Sequence, residues 1–139
     1  MDKSEFEALR DLPDKVIKAD IVFTPKNATT LFFQDVPVSN SLDLEVVLYG
    51  TFKPDIPTVT YNFVLKGVGP ICRIDVNGTI HKDQGRTHKH GLQKDSCPRN
   101  NLPQAQNRPD FEKLTAKEAW DKICGMANIT HEGRFEEPE

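Results

Sequence analysis

Two runs of the chain alternate between apolar and polar residues. In the run 58–66 the odd-numbered positions are apolar and most even-numbered positions are polar. In the run 70–76 the even-numbered positions from 72 onward are apolar, and Arg73 and Asp75 lie between them. Because successive side chains of a strand point to opposite faces, both runs predict strands with one buried and one polar face. The two charged residues are expected on the polar face.

Other apolar or alternating stretches predict further strands over 20–24, 29–36 and 42–52, and a short extended segment around 87–92. The connections between the first five strands are rich in turn-forming residues and too short to contain a crossover helix. Neighbouring strands are therefore expected to pair antiparallel. The polar segment 93–109, rich in Pro and Asn, predicts a long surface loop.

Two segments predict helices. Thr115-Ala116-Lys117-Glu118 has the form of a capping box, and the apolar residues after it recur with helical spacing. A helix is therefore expected over 115–127, facing the sheet through Trp120. Ser4-Glu5-Phe6-Glu7 has the same form and predicts a shorter helix over 5–12.

These elements predict an α+β fold, a mainly antiparallel sheet of about five or six strands with a short N-terminal helix and a C-terminal helix packed on it. A chain of 139 residues suits one domain, which we expect over 1–130, followed by a charged, disordered tail over 131–139. No run approaches the ~18 apolar residues of a membrane helix, and the N-terminus is too acidic for a signal peptide. We therefore expect a cytoplasmic protein without a membrane partner.

Charge is unevenly distributed along the chain. The formal net charge is −3, which argues against a protein that coats nucleic acid non-specifically. Between 66 and 108, however, eight Lys and Arg residues accompany three Asp residues, a balance of +5 that leaves −8 for the rest. Three of the four histidines lie in this basic segment.

The residues best suited to chemistry follow the run 70–76. Arg73-Ile74-Asp75-Val76-Asn77-Gly78 is followed by His81 and then by Gly85-Arg86-Thr87-His88-Lys89-His90-Gly91. This pattern resembles a group of small, largely uncharacterised bacterial and prophage proteins with Arg-x-Asp-x-Asn-Gly-x-x-His, a later His-x-His and a terminal helix. More distantly it is similar to TumE-type toxins of toxin–antitoxin pairs. The resemblance covers roughly the C-terminal half and implies an active or binding site on Arg73, Asp75, His81, His88 and His90.

These residue types are sufficient for RNA cleavage without a metal or other cofactor. One histidine can accept the proton of a ribose 2′-hydroxyl while a second protonates the leaving oxygen. We assign these tasks to His88 and His90, with Asp75 orienting a ring or Arg73. Arg73 and Arg86 are the candidate phosphate clamp, and Lys89, on the alternate face, is a weaker candidate for substrate binding.

Two other interpretations use the same segment. A His-x-His on a strand places two imidazoles on one face, so His88 and His90 can bind a metal ion completed by His81 or Asp75. No cysteine lies within this cluster, and the chain's three cysteines lack Cys-x-x-Cys spacing. The histidines can equally be solvated, with Arg73 and Asp75 forming an ordinary surface ion pair.

The leading hypothesis is a toxin-like or mobile-element protein that acts on RNA and is held in check by a protein partner such as an antitoxin. The alternative is a binding module without chemistry, such as a phage-borne inhibitor that docks on a host nuclease or defence protein. The acidic remainder of the chain suits this alternative, because excess Asp and Glu can imitate nucleic acid to a basic partner.

Overall fold

The computed structural model describes residues 2–55, 57–76, 88–90, 105–107 and 109–138, with 88–90 and 105–107 described by their backbone. Its elements in chain order are α1 (Lys3–Asp11), β1 (Lys15–Ile17), β2 (Thr24–Asn27), β3 (Thr30–Val38), β4 (Val46–Lys53), β5 (Thr58–Leu65), β6 (Gly69–Val76), β7 (His88–His90), β8 (Ala105–Asn107), a 3-10 helix (Pro109–Phe111), α2 (Ala116–Met126) and β9 (Ile129–His131). The predicted α+β fold is confirmed. No helix within these ranges is long and apolar enough to cross a membrane.

Strands β2 to β8 form one sheet in which each strand pairs antiparallel with the next along the chain. The antiparallel pairing expected from the short connections is confirmed. In the described part of the chain this sheet has seven strands, more than were predicted, because β8 lies in the segment 93–109 that was assigned to a loop. Strands β1 and β9 form a separate parallel pair.

The alternation of β5 and β6 separates the core from the polar side chains as predicted. The apolar residues of the alternating pattern are buried in both strands, and Tyr61 and Val76 are fully enclosed. These side chains share one core cluster with the buried residues of α1 and α2. The opposite side of the sheet is called the polar face below and is defined by five half-buried side chains: Thr51, Thr60, Asn62, Arg73 and Asp75.

Helix α2 begins at the predicted capping box and packs on the core side of the sheet. The Thr115 hydroxyl accepts a hydrogen bond from the Glu118 amide, and the Glu118 carboxylate accepts one from the Thr115 amide. The helix buries Trp120 at 1% exposure. The Tyr61 hydroxyl donates to the carbonyl of Ala116 at 2.6 Å, which joins the start of α2 to the middle of β5.

Helix α1 differs from the prediction at its first residue, and the buried lysine at the start of β1 caps its C-terminal end. Its N-cap is Asp2, whose carboxylate accepts from the Glu5 amide, rather than Ser4. At the other end, the Lys15 ammonium donates to three carbonyls at 2.6 to 2.8 Å, those of Leu9, Arg10 and Leu12. Burial lowers the pKa of this ammonium, against the opposing attraction of nearby carboxylates. The cation satisfies carbonyls that a helix leaves without partners at its C-terminus.

Replacing Lys15 by methionine is expected to destabilise the fold by about 1–3 kcal/mol, because the carbonyls at the end of α1 would lose their shared donor. Methionine retains most of the aliphatic stem, so the loss reports on the ammonium rather than on packing. Urea unfolding measures it, with the exposed Lys18 changed to methionine as the control, expected within about 0.5 kcal/mol of wild type. Equal free energies for the two variants would contradict a capping role.

The C-terminal segment runs beside β1 and the residues that follow it, in contrast to the disordered tail expected over 131–139. The Glu132 amide donates to the Ile17 carbonyl at 2.8 Å, and the Glu136 amide donates to the Ile21 carbonyl at 3.0 Å. A side chain at Gly133 would place its Cβ 2.2 Å from the Ala19 carbonyl oxygen, so this close approach requires glycine. Charged side chains point outward here while the backbone pairs, and composition cannot reveal that pairing.

Candidate functional site

The pairing of β6 with β7 brings together four residues that the sequence singled out. Asp75 lies opposite His88, and Arg73 lies opposite His90. Residues directly opposite in an antiparallel pair belong to the same face of the sheet. These four positions therefore extend the polar face from β6 onto β7.

Three other residues named in the sequence analysis have different outcomes. In the register Lys89 lies opposite the buried Ile74. It therefore alternates with the two histidines and belongs to the other face of the sheet. His81 and Arg86 lie outside the described residues, and so does the Asn77-Gly78 turn. Their assignments stay predictions.

Arg73 and Asp75 form an ion pair within β6. The distance between Arg73 Nε and Asp75 Oδ2 is 3.5 Å, and the two side chains are 34% and 14% exposed. Asp75 also accepts a hydrogen bond at Oδ1 from the Thr60 hydroxyl, at 2.8 Å. A carboxylate with this little exposure and a second partner is held more firmly than one in an exposed ion pair.

Two buried polar atoms on the polar face have no hydrogen-bond partner within the described structure. They are the side-chain oxygen of Asn62 and Nε of Arg73, which is in ion-pair range of Asp75 without a hydrogen bond to it. Asn62 and Arg73 lie opposite each other on β5 and β6. Because buried polar atoms are usually paired, this position combines an unused acceptor with an unused donor.

The row that contains Arg73 and His90 continues across β5 to β4. Tyr49 lies opposite Asn62, and its hydroxyl donates to the Asp35 carboxylate at 2.9 Å. This hydrogen bond raises the pKa of the Tyr49 phenol, so the group remains a neutral donor. Asp35 lies at a bulge of β3 with a φ of 57°, a conformation that Asp tolerates better than most residues.

The sequence predicted Thr60 on the polar face but not its contact with Asp75, and it did not identify Tyr49 and Asp35 as members of this surface. The alternation of β5 was sufficient to place Thr60 on the polar face. Its contact with Asp75 depends on the pairing of β5 with β6, which alternation alone does not specify. Tyr49 lies within a predicted strand, but nothing in the sequence connects it to Asp35.

Other groups in the described structure are less suited to catalysis. Burial raises the pKa of the Cys124 thiol to about 12, and Cys72 is buried, so neither is a ready nucleophile. Among the side chains that the structure describes, no three His, Cys, Asp or Glu residues are grouped closely enough to bind a metal ion. The histidines of the metal hypothesis lie outside that set of side chains.

A cavity of about 70 Å³ lies on the core side of the sheet, between α1 and α2, and its lining is mainly apolar. It is separate from the polar face. Arg73, Asp75, His88 and His90 lie on β6 and β7 rather than in this cavity.

Comparison with known proteins adds no further assignment, because no protein-family model, curated protein or solved structure matches the chain. The resemblance to the prophage group and to TumE-type toxins stays a prediction carried by the motif residues.

Proposed function

We propose that this protein cleaves RNA by metal-independent acid/base catalysis at the polar face of β6 and β7. The single observation that carries the proposal is the register in which Asp75 lies opposite His88 and Arg73 lies opposite His90. In this register a carboxylate lies opposite one histidine and a guanidinium lies opposite the other, an arrangement that suits this reaction.

His88 and His90 divide the two proton transfers between them. One neutral imidazole removes the proton of the ribose 2′-hydroxyl, whose oxygen then attacks the adjacent phosphorus and forms a 2′,3′-cyclic phosphate. The other, protonated imidazole donates its proton to the departing 5′-oxygen as the P–O bond breaks. Asp75 acts on His88 from the opposite strand by favouring one ring orientation and stabilising positive charge on it.

Positive charge near the scissile phosphate stabilises the additional negative charge of the phosphorane. Arg73 supplies this charge from β6, where its ion pair with Asp75 fixes the guanidinium. Arg86 is the second proposed phosphate contact, with Lys89 as a weaker one. The basic balance of the segment 66–108 supports the approach of a polyanion, although the whole chain is acidic.

We propose a reaction without a metal ion because the sequence next to His88 and His90 contains neither cysteine nor clustered carboxylates. The residues also suit a toxin-like or mobile-element protein whose activity is restrained by a partner. Such a partner can bind either the basic segment 66–108 or the acidic remainder of the chain.

A substrate that lacks the attacking hydroxyl tests the mechanism directly. A short RNA with one 2′-deoxynucleotide at the mapped cleavage position should not be cut there, whereas the all-ribose RNA should yield a 2′,3′-cyclic phosphate, detected by mass spectrometry. Cleavage should persist in excess EDTA. Loss of activity with EDTA and its recovery with Zn²⁺ would favour the metal site on the same histidines instead.

The absence of cleavage for any RNA tested, together with tight binding to a nuclease or defence protein, would favour the binding-module alternative. In that case alanine substitutions at His88 and His90 should leave the affinity for the partner nearly unchanged. A flat acidic patch elsewhere on the chain would then be the surface to map.

A further inference from the structure

Thr60 lies between two possible partners on the polar face. In the register of the sheet its neighbours are Thr51 on β4 and Asp75 on β6. Its hydroxyl donates to Asp75 Oδ1 at 2.8 Å, across 15 positions of the chain. A hydroxyl that donates to an ionised carboxylate forms a charge-assisted hydrogen bond, stronger than one between neutral groups.

This hydrogen bond and the ion pair with Arg73 both restrict how the Asp75 carboxylate is oriented. The terminal torsion of an aspartate is broad, so a carboxylate without fixed partners samples many orientations. Here Oδ1 accepts the hydrogen bond from the Thr60 hydroxyl, and Oδ2 lies 3.5 Å from Arg73 Nε. Because the Asp75 side chain is only 14% exposed, water is a poor substitute for the Thr60 hydroxyl.

Thr60, Asp75 and His88 occupy one cross-strand row through β5, β6 and β7. We infer that Thr60 is a positioning residue, whose hydroxyl holds the Asp75 carboxylate in the orientation from which Asp75 acts on the ring of His88. The inference rests on the proposed function and extends it to a residue that contacts neither substrate nor reacting atoms. Thr60 thereby selects which ring nitrogen of His88 carries the proton.

Two variants of Thr60 separate the hydroxyl from the rest of the side chain, and a third variant at Thr51 is the control. Thr60→Val removes the hydroxyl and retains the branched shape, whereas Thr60→Ser retains the hydroxyl. Thr51→Val is the matched control, because it makes the same change on the same face, directly opposite Thr60 but away from Asp75. Thermal unfolding of each variant verifies that the fold is retained.

Thr60→Val is expected to lower kcat for RNA cleavage roughly 10-fold, the effect of one lost hydrogen bond to a charged group, with KM within about twofold of wild type. The limb of the pH–rate profile that reports the titration of His88 should move along the pH axis. The ¹⁵N signals of the His88 ring should change from one dominant tautomer to a mixture. Thr60→Ser and Thr51→Val should resemble wild type in every measurement.

Two results would overturn the inference. In the first, Thr60→Val retains the wild-type pH profile and the wild-type His88 ring signals. In the second, Thr51→Val reproduces the changes seen in Thr60→Val, which would indicate a general effect of packing on the polar face. If the wild-type protein cleaves no RNA, the proposed function fails, but the His88 ring signals still decide whether Thr60 acts through Asp75.

Discussion

Replacing His88 or His90 by alanine should lower the rate of RNA cleavage by roughly 10²–10⁴-fold for each residue, the usual contribution of a positioned acid or base. The melting temperature should change little, because both residues lie on a short strand far along the sheet from the core strand β4. Single-turnover cleavage and thermal unfolding measure the two effects. The pH–rate profile of the wild type should be bell-shaped, since one imidazole must be neutral while the other is protonated.

The fourth histidine provides the control for this prediction. His131 accepts a hydrogen bond from the Trp120 indole at 3.0 Å, and its other ring nitrogen lies 2.9 Å from the Ala19 carbonyl oxygen. His131→Ala should therefore destabilise the fold by about 1–3 kcal/mol while leaving the rate per folded molecule unchanged. Retained RNA cleavage in the His88/His90 double variant, at wild-type protein levels, would remove β7 as the catalytic strand.

Trp120→Ala should lower the free energy of unfolding by about 3–5 kcal/mol, the range for a large buried aromatic side chain. The indole is 1% exposed, and its centroid lies 5.5 Å from that of Tyr61 and 6.5 Å from that of Phe135. The change would leave a cavity between α2 and the sheet and leave His131 without its indole donor. Denaturant unfolding gives the free energy directly.

Trp120→Phe separates packing from hydrogen bonding, because phenylalanine retains an aromatic ring but lacks the N–H donor. Its loss of stability should lie between zero and that of Trp120→Ala. A change of less than about 1 kcal/mol for Trp120→Ala would mean that α2 is peripheral and contributes little to the core.

The sequence by itself determined the faces of the two central strands and the position of the second helix. The period of two in β5 predicted that Tyr61 is buried and Thr60 is on the polar face, because a strand alternates wherever one side is solvated. The capping box predicted the start of α2 because its hydrogen bonds are local, linking Thr115 to Glu118.

Short strands and the two ends of α1 required the tertiary structure. Strands β1, β8 and β9 have three residues each, too few to establish a period. In addition, β1 and β9 pair with each other although they lie near opposite ends of the chain. Composition places lysine on the surface, whereas Lys15 is buried because three carbonyls at the end of α1 converge on it. Composition also predicts a disordered tail over 131–138, whereas the backbone of this segment pairs with the residues of β1 and those that follow it.

In the candidate site, too, the sequence predicted which side chains share a face, and the tertiary structure decided which residues are neighbours across strands. Alternation within each strand was enough to expect Arg73 with Asp75 on one face and His88 with His90 on one face. Only the register between β6 and β7 decided that Asp75 lies opposite His88, and only the register between β5 and β6 supplied Thr60. A strand's own residues determine its two faces through the backbone geometry. Its neighbours are set by long-range pairing, which depends on the packing of the whole core.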